Sequence, residues 1–164
     1  MKNTLQSSNF RFDLSQTGNK DDIKSFLWQI VDVSTPSITV SETSVAIPKM
    51  QNLRQPGNAL NLGDIDIEFL MDEKFEAYTN IYTWLKSALI VDNPDNYTRE
   101  GLLMILNSTT SDIITAYKFY DMFPTVLSPL TFTYGESGAI DAVTCNVTFS
   151  FSSIDLLDGD LNPI

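Results

Sequence analysis

The residues of this 164-residue chain that could do chemistry are carboxylates. There are 21 Asp and Glu against 10 Lys and Arg, a net charge of −11, and no histidine at all. Without imidazole, the commonest general base and the commonest metal ligand are gone, and every Ser-His-Asp or Cys-His relay goes with them. Cys145 is the only cysteine, so no disulfide can close within the chain. No GxxxxGK[ST] or GxGxxG stretch is present to cradle a phosphate. Paired-carboxylate chemistry remains, and the tightest grouping is DIDIEFL, residues 64–70. There Asp64, Asp66 and Glu68 alternate with Ile65, Ile67 and Phe69. Strand neighbours two apart stand about 7 Å from each other and diverge, which is poor geometry for one ion. The acidic DLLDGDLN near the end of the chain lacks the ligand spacing and closing Glu of an EF-hand loop. The carboxylates therefore read as a surface, either a solvated sheet face or a deliberately acidic one. No enzymatic activity, cofactor or metal is expected.

The elements that position these residues are mostly strands. Alternation or β-branched and aromatic runs predict strands over 9–14, 26–33, 37–47, 64–70, 101–107, 112–121, 130–134 and 142–153. The last has two clean faces. Val143, Cys145, Val147, Phe149 and Phe151 share one; Thr144, Asn146, Thr148, Ser150 and Ser152 share the other, which is polar and uncharged. The period changes once. Asp72 is a good N-cap, and Phe75, Tyr78, Tyr82, Leu85 and Leu89 recur at helical spacing, widened by Ile81, Trp84 and Ala88. This predicts one helix over about 73–90, its stripe packed on a sheet and its end set by Pro94. Residues 48–63 carry Pro, Gly and Asn without a period and read as a long loop or an irregular hairpin. Turns are expected at 17–22, 91–96 and 135–141, and the acidic tail 154–164 is expected to fray.

No break in composition divides the chain, so residues 1–164 read as one domain, mainly β: an antiparallel β-sandwich or small barrel with one flanking α-helix. A hydrophobic share of 43% is enough for a real core, and no apolar run reaches membrane-spanning length. The N-terminal stretch lacks the apolar region of a signal peptide, which sets the cytoplasm as the expected site of assembly. In that setting the Asn-x-Ser/Thr triplets at Asn96, Asn107 and Asn146 read as chance matches. The acidic balance opposes tight binding of nucleic acid, since phosphates are repelled.

One stretch carries a resemblance. In YKFYDMFPTVLSPLTFTYG, residues 117–135, Tyr117-Lys118-Phe119, then Phe123-Pro124-Thr125, then Ser128 follow at fixed spacing. Ile140 and Val147-Thr148-Phe149 come after. Asp72-Glu73, Phe75 and Trp84 mark the helix, and Val45 to Pro48 a strand closing in proline before a long loop. This pattern, over roughly residues 26–153, resembles the tail tube proteins of contractile-tailed bacteriophages, related to the tube proteins of contractile injection systems. Asp121 stands where that family usually has Gly, and segments 91–101 and 154–164 follow its pattern poorly.

The resemblance implies a structural subunit. Six copies form a ring, inner sheets join into a continuous barrel, and rings stack into a tube inside a contractile sheath. Genome DNA passes through the lumen without specific binding. The implied partners are further copies of the chain, sheath, baseplate and tail terminator proteins, with no membrane insertion; the implied location is the virion tail, after assembly in the host cytoplasm. A baseplate tube-initiator, an injection-system tube protein and a monomeric β-sandwich binding module are the alternatives. Two faces are left open as the lumen lining: Asp64, Asp66 and Glu68, or Thr144, Asn146 and Thr148 with Ser150 and Ser152. Residues 117–135 are expected to form a strand, a proline-broken corner and a second strand. That corner, at Tyr120, Phe123 and Pro124, and Leu53 and Leu60 of the long loop are the candidate subunit contacts, since exposed apolar residues need cover.

Overall fold

The structure, a computed structural model, describes residues 5–14, 29–46, 51–89, 97–132 and 142–164. The turns expected at 17–22, 91–96 and 135–141 lie outside them, as does Pro94. Nine strands and one helix run in the order β1 (Phe10–Leu14), β2 (Ile30–Ser34), β3 (Ile38–Val45), β4 (Leu53–Leu62), β5 (Ile65–Leu70), α1 (Glu76–Ser87), β6 (Arg99–Leu106), β7 (Ile113–Leu127), β8 (Thr144–Ser150) and β9 (Ser153–Leu157) among the described residues. Every pairing is antiparallel.

β7 is the spine. Its first half pairs with β6 on one edge and β9 on the other, while its second half, from Phe123 on, pairs with β8. Two sheets result. The back sheet runs β1-β6-β7-β9 and the front sheet β7-β8-β5-β2. Ile65, Ile67 and Phe69 of β5 and Cys145, Val147 and Phe149 of β8 point back into one core; Phe12, Leu14, Leu103 and Phe119 of the back sheet point forward into it. Ala77, Ile81 and Trp84 of α1 close its side, with the Trp84 and Phe149 rings 5.4 Å apart. Each large apolar side chain among these contributes about 1.5–3 kcal/mol when fully removed from water.

The expected proline-broken corner is not there. β7 runs unbroken from Ile113 to Leu127, with Pro124 inside it and buried. Proline is tolerated because no described strand lies beside 123–127 on the side away from β8, so the missing N–H costs no ladder bond there. The bend sits earlier, at Asp121, whose φ is 52°. That left-handed region favours glycine and is next best met by Asp or Asn.

Other expectations are also corrected. α1 starts after Phe75, which takes the N-cap place at φ 61° without a side-chain bond; Asp72 still serves the helix end, accepting from Glu76 N–H at 3.3 Å and Ala77 N–H at 3.4 Å. The helix buries Ala77, Ile81 and Trp84, while Phe75, Tyr82 and Leu89 of the expected stripe are exposed. The tail does not fray: 153–157 is β9, Leu157 is buried, and the last residues turn back along that strand. No strand forms over the described part of 130–134. Residues 53–62 are β4, hairpinned to β3, so of the two readings for 48–63 the hairpin holds and the loop does not. Among the described residues β3 and β4 pair only with each other and leave the body as an arm, its base closed by Gly63 N–H donating to Ser37 C=O at 2.8 Å.

Candidate assembly surfaces

The front sheet has an outer face, and the register shows what is on it. Asp66 faces Thr148, Glu68 faces Asn146, and Leu70 faces Thr144 across β5 and β8. On the other side of β5, Glu68 faces Asp32 and Asp66 faces Ser34 of β2. The acidic strand face and the polar strand face, which sequence leaves as alternatives, are therefore one continuous surface. Thr148 donates its hydroxyl to Asp66 at 2.6 Å across it. Asp64 lies exposed one residue before β5. Ser152 does not belong to this face: β8 ends at Ser150, and Ser152 donates to Asp121 at the bend. Val126, 52% exposed, continues the face opposite Thr148 on the last part of β7. Not one Lys or Arg occurs in β2, β5, β8 or the 123–127 part of β7.

The edges of this sheet are the second feature. Among the described residues β2 pairs only with β5, and residues 123–127 only with β8. Four strands thus end on two open edges. Unpaired edges are templates for another chain. Phe123 and Pro124 lie on one of them, with the Phe123 ring edge-on to Tyr97 at 6.2 Å. Tyr120 does not join them. It sits before the bend, on the back sheet, where its hydroxyl donates to Asp155 at 3.0 Å and Lys118 stacks on its ring at 4.7 Å. Lys118 in turn pairs with Glu100 at 3.2 Å, which holds its pKa above the usual lysine value.

The arm is the third. Ile38↔Leu62 and Val40↔Leu60 are cross-strand pairs near its base, and Val45↔Leu53 is the pair nearest its tip. By the alternation of β3, the base pairs lie on one face and the tip pair on the other. Ile38, Val40, Val45, Leu53 and Leu60 are all exposed. A bulge separates the two groups; there a Cβ on Gly57 would stand 2.7 Å from the Ser41 carbonyl oxygen, so only glycine fits. The opposite-face placement of Leu53 and Leu60 has no signal in either residue alone; it follows from the pairing.

Among the described residues no three His, Cys, Asp or Glu side chains gather to hold an ion. None of the described helices is long and apolar enough to cross a membrane.

This architecture matches known structures closely. A chain of the anti-feeding prophage baseplate, 6-fold symmetrised, superposes with a TM-score of 0.68 at 16% identity, over 98% of this chain and 100% of that one. The chain has the fold of contractile-injection tube proteins. A chain of the extracellular contractile injection system PVC sheath-tube complex, in its extended state, gives a TM-score of 0.67 at 12% identity over 94% and 92%. The Hcp protein shares the tube fold more loosely, with a TM-score of 0.53 at 13% identity over 80% and 71%. No protein-family model and no curated protein sequence matches the chain. The tube fold is thus kept at identities where few side chains agree.

Proposed function

We propose that this chain is the structural subunit of a tail tube, six copies closing a ring and rings stacking into a conduit within a contractile sheath. The observation that carries the reading is the front sheet: two open edges, one at β2 and one at residues 123–127, flank a face without a single cation. Joining the β2 edge of one copy to the 123–127 edge of the next is a head-to-tail contact, which generates a ring when the rotation closes. Repeated six times it makes one continuous barrel and leaves no front-sheet edge free. Its outer face, with Asp32, Asp66, Glu68, Asn146 and Thr148, then lines the bore. The arm carries the stacking contacts, with the Leu60 face and the Leu53 face against different copies. Sheath, baseplate and terminator proteins meet the tube outside and at its ends.

The cargo in this reading is genome DNA, passing without specific binding. Duplex DNA carries about one charge per 1.7 Å of axis, so a basic bore would grip it and an acidic polar one does not. A second reading, a tube of an injection system with another cargo, is favoured by the matched structures of that kind. Paired cysteines test the edge contact common to both. With Cys145→Ser as background, Val31→Cys in β2 and Val126→Cys in β7 should give covalent ladders ending at six chains under oxidation. Single-cysteine controls should not. Absence of the ladder across neighbouring choices of register, such as Asp32→Cys with Val126→Cys, contradicts the proposal.

A further inference from the structure

The back sheet differs from the front sheet at its edge. After β9 the chain turns straight back: Asp158 N–H donates to Asn162 C=O at 2.9 Å and Ile164 N–H to Leu156 C=O at 3.0 Å. Residues 162–164 thus lie antiparallel along the outer edge of β9, with Leu157 and Pro163 facing each other. The turn is held tightly. The Asp158 carboxylate accepts from Asp160 N–H at 3.0 Å and Asn162 N–H at 2.8 Å, and Leu161 takes φ 62°. Gly159 packs so near β7 that a Cβ there would stand 2.7 Å from the Ile113 carbonyl oxygen.

The two bonds flank the Leu157–Pro163 pair, which makes it a non-hydrogen-bonded pair; at residue 163 the backbone nitrogen faces away from β9. That nitrogen belongs to proline and has no hydrogen to donate. The segment therefore covers the edge of β9 and offers no donor of its own at Pro163, a known way of blunting an edge. Neither open edge of the front sheet has such a cover among the described residues.

We infer that residues 158–164 are a strap that denies the β9 edge to a strand of a second copy, so that copies do not meet edge to edge through β9. This holds for any assembly the chain makes and does not depend on the bore or its cargo. A β9 edge free to pair would add a lateral strand contact beside those of the front sheet and favour open aggregates over closed assemblies.

The test uses the full chain with Asp158→Pro, which removes both the backbone donor and the carboxylate of the turn. Hydrogen exchange of the Ile164 amide reads the strap, and sedimentation with thioflavin T reads lateral strand association. Faster exchange at Ile164 together with a several-fold rise in thioflavin-positive, fast-sedimenting material is expected. Adding Leu156→Pro should return association to that of the parent chain. The Leu156 carbonyl faces the strap, so its N–H faces the same way and can be lost without harm to the β7 ladder. Three results overturn the inference: an open strap with unchanged association, aggregation that Leu156→Pro does not cure, or an Ile164 amide still protected without Asp158. Ring formation is read separately by microscopy, so failure of the strap and failure of the ring are distinct outcomes.

Discussion

Ser152 donates its hydroxyl to the Asp121 carboxylate at 2.7 Å, where two long chain segments bend together. The register makes this more than a local contact. Tyr120 pairs with Ser153 and Phe123 with Ser150, so β8 and β9 are one antiparallel partner of β7, kinked opposite its bend. The Ser152 amide also donates to the Tyr120 carbonyl, at 2.9 Å. The bend sends β7 from the back sheet to the front sheet, and with it the open edge at 123–127.

Asp121 holds a left-handed backbone that costs an ordinary L-residue about 1–2 kcal/mol. Asp121→Gly should remove that cost and lose one hydrogen bond of about 0.5–1.5 kcal/mol, leaving stability within about 1 kcal/mol of the parent. Asp121→Val loses the bond and, being β-branched, meets the left-handed region with more strain than Asp, so it should destabilise by about 2 kcal/mol or more. Urea midpoints of the two variants check the order; a Val variant as stable as the Gly variant contradicts the role given to φ.

The arm should make two separate contacts. Leu60→Ser with Val40→Ser removes the base face, and Leu53→Ser with Val45→Ser removes the tip face. Exposed positions should change monomer stability by no more than about 0.5 kcal/mol. Where a neighbouring copy covers the pair, losing two apolar side chains should weaken assembly by roughly tenfold or more. Rings without tubes from one pair, and a different defect from the other, is the outcome expected by sedimentation and negative-stain microscopy. Identical defects refute the opposite-face reading.

The hydrogen bond to Asp155 raises the Tyr120 pKa above its ordinary 10.0, since phenolate would form beside a carboxylate. Lys118 is raised above 10.5, chiefly by its bond to Glu100. A raised folded-state value means stabilisation that is complete below the unfolded value and lost as pH climbs through the folded one. Both contributions are therefore fully present and constant between about pH 5 and 8, and are lost only at the alkaline end. Phenolate absorbance should show one tyrosine titrating lower in Asp155→Ala than in the parent, and that tyrosine missing in Tyr120→Phe. An unchanged curve in Asp155→Ala contradicts the assignment.

Charge on the front face should decide the behaviour of cargo. Asp66→Lys with Glu68→Lys puts cations where the parent has none. Assemblies of this variant should bind duplex DNA with an affinity that falls steeply with salt, whereas parent assemblies should not bind. Equal, negligible binding by both places these side chains away from the path of DNA.

How much of this was legible in the sequence depends on whether the deciding partner is local. Ile65, Ile67 and Phe69, and Cys145, Val147 and Phe149, announce their strands because alternation is written into each segment. α1 is equally plain, but its buried side is not: Ala77 carries little hydrophobic weight, and Tyr78 and Tyr82 look apolar while keeping a polar end in water. β4 contains Pro56, Gly57 and Asn58 and has no period; pairing with β3, not burial, makes it a strand. β9 is invisible for the same reason, being held by β7, some 40 residues earlier in the chain. Phe123-Pro124 reads as a corner in the sequence, because proline in an edge strand and proline in a corner look alike. That Asp66 and Asn146 share one surface follows from a register that no single segment contains. Tyr120, the Phe123-Pro124 pair, and Leu53 with Leu60 lie at three separate places, on the back sheet, the front-sheet edge and the arm.

In the proposed tube, front sheets join edge to edge around a bore. Cryo-electron microscopy of assemblies of the purified full chain, grown with baseplate components where nucleation needs them, measures this directly. The expected result is six-fold rings in which β2 of each copy pairs with residues 123–127 of the next, with Asp66, Glu68 and Asn146 facing the axis. Rings that place this face outward, rings that join through β9, or a chain that stays monomeric at high concentration with those components present would contradict it.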